Sequence, residues 1–463
     1  MRKIGYCAFY SALLLAVGVM FGCQKEQTQQ GSCSSQGSSA TAPASVPASG
    51  PAASSAGVGD AAENWPQFRG PWGDGIASPL ADPPAEFNLA EQLRWKVAVP
   101  AEGNNSPIIW GDRIFLTGKG QRIMAFERAT GKLLWDTPVT ALPAKAGQED
   151  TSNDSQAGSA APTACTDGQR VFAFFGSGVL GCVDMNGKQL WAHRLTDGME
   201  NGYGLAASPI VHNGLVIQVV DVDPREPSST STIGRTEQFQ SFVVAFRAAD
   251  GQQAWRTGRP VGSSWPTPLI VGQDKQETLV TCAKPWVIGY NPISGDELWR
   301  MKGLAGDVAS SPIASKGLIY AVSDPQGPVL AFRVAGASGE LDEKNVAWTT
   351  DEDMPNVSSP ICDGQRYIQI KADSGIIHAY DAAKGTPLWE KEIENIIVAS
   401  PVLAAGRLYM LDNEGNLYVL SPKDGSILSQ AKLNQPVTAS PAVIGKYLYI
   451  RGEKDLFCIG PKG

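Results

Sequence analysis

Histidine and cysteine are scarce in this chain, with 3 and 8 in 463 residues. No two cysteines are adjacent, and no spacing among them matches a zinc site. A Gly-x-Ser-x-Gly elbow, a phosphate loop and a His-x-x-x-His pair are all missing, which removes the usual signatures of hydrolases, nucleotide enzymes and zinc proteases. Basic runs are absent beyond Arg2-Lys3, and the net charge is −8, so nucleic acid is not an expected partner. The apolar stretch at residues 8–21 is too short for a typical membrane span. Helix-period runs are missing from the body of the chain.

What is present is a repeat. Gly131-x-x-x-Trp135 returns as Gly187-x-x-x-Trp191, Gly251-x-x-x-Trp255, Gly295-x-x-x-Trp299 and Gly385-x-x-x-Trp389. A period of roughly 40 to 60 residues marks a stack of one supersecondary element. Residues 106–139 read as four short strands: 108–110, 113–117, 122–128 and 133–139. The turns between them fall at Gly111-Asp112, at 118–121 and at Thr130-Gly131. Eight strand openings follow one pattern: Ser106-Pro107, Ala161-Pro162, Ser208-Pro209, Thr267-Pro268, Ser311-Pro312, Ser359-Pro360, Ser400-Pro401 and Ser440-Pro441. The expectation is an all-β, eight-bladed β-propeller of four-stranded blades. Its last unit has only three strands before the chain ends. The missing outer strand is assigned to Leu93-Arg94-Trp95-Lys96-Val97, which closes the ring from the N-terminal side.

The repeated tryptophans are expected to fill the widening gap between outer strands. Ser429 occupies that slot in the seventh unit, and Trp348 in the fifth is delayed by an insertion at 335–345, so those two blades should be the less regular ones. Cys165 and Cys182 fall on the first and third strands of one blade, about 9.5 Å apart and too far for a disulfide. The propeller cysteines are read as buried free thiols. His193, His212 and His378 lie in or beside strands and are read as packed or surface residues. Glu149-Asp150 with Asp154, and Asp221 with Asp223 and Glu226, could offer carboxylate oxygens to a cation but are read as solvated loop residues. Residues 224–238 form an insertion between the second and third strands of their blade.

The N-terminus reads as three parts. Met1-Arg2-Lys3 and the apolar stretch form a signal peptide ending at Gly22-Cys23, which resembles a bacterial lipobox and makes Cys23 the lipidation candidate. Residues 24–62, rich in Ser, Ala, Pro and Gly, form a disordered linker. The propeller occupies 63–463. Gln24 rather than Asp after the cysteine favours the outer membrane in the usual bacterial sorting pattern.

Gly375-Ile376-Ile377-His378-Ala379-Tyr380-Asp381 followed by Gly385-Thr386-Pro387-Leu388-Trp389, and Gly415-Asn416-Leu417-Tyr418-Val419-Leu420 followed by Asp424-Gly425, are copies of one repeat. It resembles the pyrroloquinoline-quinone-type (quinoprotein-like) β-propeller repeat, the family of the outer-membrane assembly lipoprotein BamB and of quinoprotein alcohol dehydrogenases. The leader Asn64-Trp65-Pro66-Gln67-Phe68-Arg69-Gly70-Pro71-Trp72-Gly73-Asp74-Gly75 resembles that of a branch of exported propellers. The dehydrogenases carry a vicinal cysteine pair over the quinone beside a metal and a catalytic aspartate. This chain has no such pair, so neither the quinone nor a metal is expected, and no catalytic residue is assigned.

Loops ahead of each first strand converge on the axial opening of a propeller, and polar or aromatic groups there make the default ligand site. They nominate Asn105, Tyr203, Trp265, Asp307, Asn356 and Gln435. The resemblance implies a non-catalytic binding or assembly scaffold at the bacterial cell envelope, BamB-like, held to the membrane by its lipid and meeting envelope proteins or a small ligand. The alternatives are a quinone-dependent oxidoreductase and a cell-surface carbohydrate- or peptide-binding sensor.

Overall fold

The computed structural model describes residues 63–141, 161–196, 201, 203–223, 240–273, 276–325 and 327–462. The chain divides into two compact units, Met1–Ala52 and Ala53–Gly463, and every described residue falls in the second. The signal peptide, Cys23, the linker, Glu149-Asp150, Asp154, Glu226 and the 224–238 insertion lie outside the described residues.

Alternating turn signals and short apolar runs give each repeat an antiparallel meander of four strands. Blade 1 runs from Ile108–Trp110 to Leu133–Pro138, blade 2 from Cys165–Thr166 to Gln189–Arg194, and blade 3 from Ile210–His212 to Gln253–Gly258. Blade 4 runs from Leu269–Gln273 to Glu297–Lys302, blade 5 from Ile313–Ser315 to Val346–Thr350, and blade 6 from Ile361–Cys362 to Pro387–Glu392. Blade 7 runs from Val402–Ala404 to Ile427–Lys432. Blade 8 takes Ala442–Ile444, Tyr447–Arg451 and Asp455–Ile459 from the C-terminus and Leu93–Ala98 from the N-terminal side. The closing strand is in register as Trp95 opposite Cys458 and Val97 opposite Leu456. The ring is closed as the sequence implied.

Near the axis a circuit of hydrogen bonds links all eight blades. The backbone N–H of Ser106 donates to Thr163 Oγ1, Thr163 to Ser208 Oγ, Ser208 to Thr267 Oγ1 and Thr267 to Ser311 Oγ. The series continues from Ser311 to Ser359, Ser359 to Ser400, Ser400 to Ser440, and Ser440 back to Ser106 Oγ, at 2.9 to 3.1 Å throughout. These groups are buried, and a buried N–H without an acceptor is costly. The circuit corrects one assignment. Blade 2 opens at Thr163-Ala164 rather than Ala161-Pro162, because the slot requires a hydroxyl.

At the periphery six outer-strand tryptophans lean on the next blade. Trp95, Trp135, Trp191, Trp255, Trp348 and Trp389 cover Gly131, Gly187, Gly251, Gly295, Gly385 and Gly425, where a Cβ would come within 2.4 to 2.7 Å of the ring. Their indole N–H groups donate to backbone carbonyls of those same turns at 2.9 to 3.2 Å. Those glycines also hold φ between +69 and +84, so the turn and the close approach both require them. Between these two belts, the apolar clusters lie between neighbouring blades and bury both faces of the middle strands.

The expected irregularity of blades 5 and 7 is corrected. Blade 5 keeps four strands, while its insertion lends Gly339–Leu341 as a parallel fifth strand on the outer edge of blade 4, with Trp299 opposite Gly339. Blade 7 is regular. Ser429 stands opposite Val419, as Trp135 stands opposite Ala125, and its hydroxyl accepts the Phe87 N–H at 2.9 Å. Blade 8 receives its outer strand from elsewhere in the chain and has no turn glycine for a tryptophan to cover.

The leader runs across one end of the ring. Trp65 exchanges two backbone bonds with Ile109 of blade 1, and Thr166 of blade 2 donates to the Pro66 carbonyl. Arg69, 1% exposed, donates to the Pro360 carbonyl of blade 6. Gly75 and Ala77 bracket Leu403 of blade 7, and Asp82 donates to Gly445 of blade 8. The meander defines two faces. The lower face holds the first-to-second and third-to-fourth turns and the entry of the leader. The upper face holds the second-to-third loops and the crossings between blades. No helix among the described residues is long and apolar enough to cross a membrane. Cys165, Cys182, Cys282, Cys362 and Cys458 are buried free thiols, as the strand spacing required.

Both belts can be tested by urea denaturation. Ser359→Ala leaves the Ser311 N–H buried without an acceptor and should lower the unfolding free energy by about 1–3 kcal/mol. Trp95→Ala removes the ring that joins the closing strand to blade 1 and should cost about 3 kcal/mol. An unchanged midpoint in either variant would remove that contact from the account of ring closure.

Candidate functional site

The upper face gathers three of the six nominated residues into one sector. Tyr203, 39% exposed, meets Trp265 edge-on with ring centroids 5.4 Å apart. Trp265 is held on both sides: its indole donates to the Gly204 carbonyl at 2.9 Å and its backbone N–H to Val308 at 3.0 Å. The latter contact sets it beside Asp307, an exposed residue whose backbone pairs with that of Asp324. The sector therefore spans the crossings from blade 2 to blade 5.

A buried ion pair supports it. Arg259 and Asp221 have fully buried side chains, and the guanidinium lies on the carboxylate while also donating to Thr281 Oγ1 at 3.0 Å. The Ser264 hydroxyl donates to the same carboxylate and fixes the residue before Trp265. Burial pushes the Asp221 carboxyl upward, and the charge of Arg259 draws it back. Asp221 is thus a buried structural partner of Arg259 and Ser264, which corrects its reading as a solvated loop residue. Asp223 is exposed and accepts the Ser263 hydroxyl.

The other three nominees are drawn into loop construction. Asn105, 1% exposed, grips Thr117 by donating to its carbonyl at 2.8 Å and accepting its N–H at 3.0 Å. Asn356 accepts the Ala372 N–H at 3.2 Å. Gln435 donates to Asp455 at 2.8 Å and accepts the N–H groups of Lys454 and Asp455. They shape the upper face from beneath.

Composition did not single out an acidic stretch beside the sector. Asp307, Asp324 and Asp373 face one another closely enough that burial, then Asp373 and Asp307, raises the Asp324 carboxyl, with Lys371 opposing. Asp353 stands at φ 41 and accepts His378 Nε2 at 2.9 Å and Lys371 Nζ at 3.1 Å. Those hydrogen bonds, His378 first, hold its carboxyl below the ordinary range. An open hollow of about 550 Å³ lies next to these loops, lined by Pro325, Gly327, Pro328, Thr349, Thr350 and Asp351. The run Asp351-Glu352-Asp353 immediately before Asn356 was the available signal, but its partner His378 lies on another strand. The remaining histidines are paired as packing residues: His193 with the Gly251 carbonyl at 2.7 Å and His212 with Glu277 at 2.9 Å. Among the described residues, no group of three or more His, Cys, Asp or Glu side chains is arranged to hold a metal ion.

The depressed Asp353 gives a signed pH dependence. Its pairing stabilises the 351–356 loop fully above the ordinary carboxylate pKa and is lost as pH falls through the lower folded value. Amide exchange in that loop should rise on acidification, and His378→Ala should raise it about fivefold already at neutral pH. Equal exchange in both proteins at both pH values would dismiss the clamp.

Comparison with known proteins agrees with the repeat. The family model described as outer membrane protein assembly factor BamB matches residues 90–223, 240–368 and 372–459. The outer membrane protein assembly factor BamB of Bordetella pertussis is 22% identical over 350 residues, which cover 73% of this chain and 77% of that one. The crystal structure of BamB from Moraxella catarrhalis superposes with a TM-score of 0.57 at 14% identity, covering 80% of this chain and 97% of that one. Quinohemoprotein alcohol dehydrogenase from Comamonas testosteroni gives a TM-score of 0.62 at 12% identity, covering 86% and 80%. Resemblance at these identities establishes the shared propeller, whereas the family model matches most of the chain. This chain belongs to the family described as outer membrane protein assembly factor BamB.

Proposed function

We propose that the chain is a non-catalytic scaffold of the bacterial cell envelope, anchored through lipid on Cys23 and facing proteins of outer-membrane assembly with its upper face. The observation that carries this reading is the sector around Tyr203, Trp265 and Asp307. Exposed aromatic surface on a firmly held loop, bordered by acidic side chains, is the composition of a protein-binding patch. Family membership supports the choice of partner class.

Quinone chemistry fits these residues poorly. The chain has no adjacent cysteines, and the leader from Trp65 to Ala77 reaches blades 1, 2, 6 and 7 across the axial region. Addition of pyrroloquinoline quinone and calcium to the purified protein should therefore give no alcohol-dependent dye reduction. Activity that requires both additions would reverse the reading.

Two further experiments address the scaffold. Tyr203→Ala with Trp265→Ala should reduce recovery of outer-membrane assembly components about tenfold while leaving the melting point near that of the parent, because both rings border solvent. Undiminished recovery would move the partner surface elsewhere. Cys23→Ala should shift the protein out of the membrane fraction, and equal retention would remove the anchor.

A further inference from the structure

Among the described residues, large exposed apolar side chains are divided unevenly between the two faces. Tyr203, Val357 and Ile396 are those described on the upper face. The lower face and its rim carry many more. Leu133 and Leu134 of blade 1, Leu190 of blade 2, Leu388 of blade 6, and Ile427 with Leu428 of blade 7 all begin outer strands directly after a lower turn. Leu93 and Tyr447 add blade 8, so each of blades 6, 7, 8, 1 and 2 carries at least one exposed apolar side chain at its lower rim. Leu80 of the leader, 75% exposed, stands inside that arc next to the Asp82–Gly445 contact.

Two other features share this sector. Exposed Lys132, Lys188, Lys384 and Lys423 lie in the same lower turns as the leucines. The acids of those turns, Glu127, Asp184, Asp381 and Asp424, accept hydrogen bonds from turn hydroxyls or amides. Asn64 accepts the Gly111 N–H at 2.8 Å on the lower turn of blade 1, so the first described residues of the leader lie on this face.

We propose that the lower face rests on a phospholipid bilayer surface, with the arc of blades 6, 7, 8, 1 and 2 in the headgroup region. The proposal rests on the reading above that Cys23 carries a lipid anchor. Separate leucines spaced around a rim suit a soft planar surface, where each enters among acyl chains and neighbouring lysines reach phosphates. A folded partner would instead need one contiguous patch with matching pockets. The crowded carboxylates Asp307, Asp324, Asp351 and Asp373 then point away from anionic lipid, toward the partner side.

The test uses the full acylated chain in a Cys33→Ser background, where the five described cysteines are buried and resist labelling. A fluorophore is placed at Lys423→Cys on the lower face or at Asp373→Cys on the upper face. Vesicles of phosphatidylethanolamine and phosphatidylglycerol carry brominated acyl chains as quencher. Flotation with the vesicles reads the anchor, and quenching reads the face. The lower label should be quenched and the upper label spared. Leu134→Glu with Leu388→Glu and Leu428→Glu should weaken that quenching about tenfold without loss of flotation. If the chain fails to float, the anchor falls, and the same labels are read at high vesicle concentration, where lower-face quenching is still expected. Equal quenching of both labels, quenching unaffected by the triple variant, or a lower label protected by protein concentration alone would overturn the proposal. The last result would point to a second copy of the chain.

Discussion

Eight hydroxyl groups, each accepting one backbone N–H from the preceding blade, set the geometry on which everything else here depends. Strands that fan outward cannot pair with their neighbours at the axis, so the innermost amides would be buried without acceptors. A serine or threonine at each strand opening solves this with the shortest side chain that carries an oxygen. The circuit fixes the relative height of all eight blades. That height decides which crossings meet on the upper face, including the approach of Trp265 to Val308 and Asp307. A change in one blade's height would break both neighbouring links.

Ring closure uses two separate devices. The Leu93–Ala98 strand completes blade 8 by backbone pairing, and the leader binds blades 1, 2, 6, 7 and 8 from beneath. The second device explains why residues preceding the first repeat carry such a particular sequence. Trp65 and Arg69 are almost wholly buried by it, and Gly70 at φ +84 lies so close to Trp65 that a Cβ would stand 2.9 Å from the indole. The leader is therefore part of the folded body, and it makes the two ends of the propeller chemically different.

Much of this architecture was legible because it repeats. Glycine, tryptophan and Ser-Pro signals recur at the same offsets, so blade number, strand order and the closing strand could be read from spacing alone. The blade 2 opening could not, since Ala161-Pro162 imitates the pattern two residues before the hydroxyl that performs the task at Thr163. The site was less legible for a related reason. Loop residues such as Asn105 and Tyr203 look equivalent by position, yet one is buried and grips a neighbouring backbone and the other is partly exposed against Trp265. Which outcome occurs depends on partners far along the chain, as with His378 reaching Asp353. Asp221 deceived in the opposite sense, because its buried counter-ion Arg259 lies 38 positions away.

The outer belt has a direction. Every clasping tryptophan leans on the blade that follows it, as tiles overlap on a roof, and the pattern lapses where Trp299 is capped by Gly339–Leu341 and where Ser429 stands in place of an indole. At the latter boundary, between blades 7 and 8, no indole laps over the joint; the leader holds it through Phe87, whose ring meets Tyr409 edge-on, and through Pro83 against the Tyr409 hydroxyl. A ring of near-identical units thus contains one joint closed by a segment outside the repeats. Residues 83–87 serve there as the clasp that an indole supplies elsewhere, over a core that blades 7, 8 and 1 share.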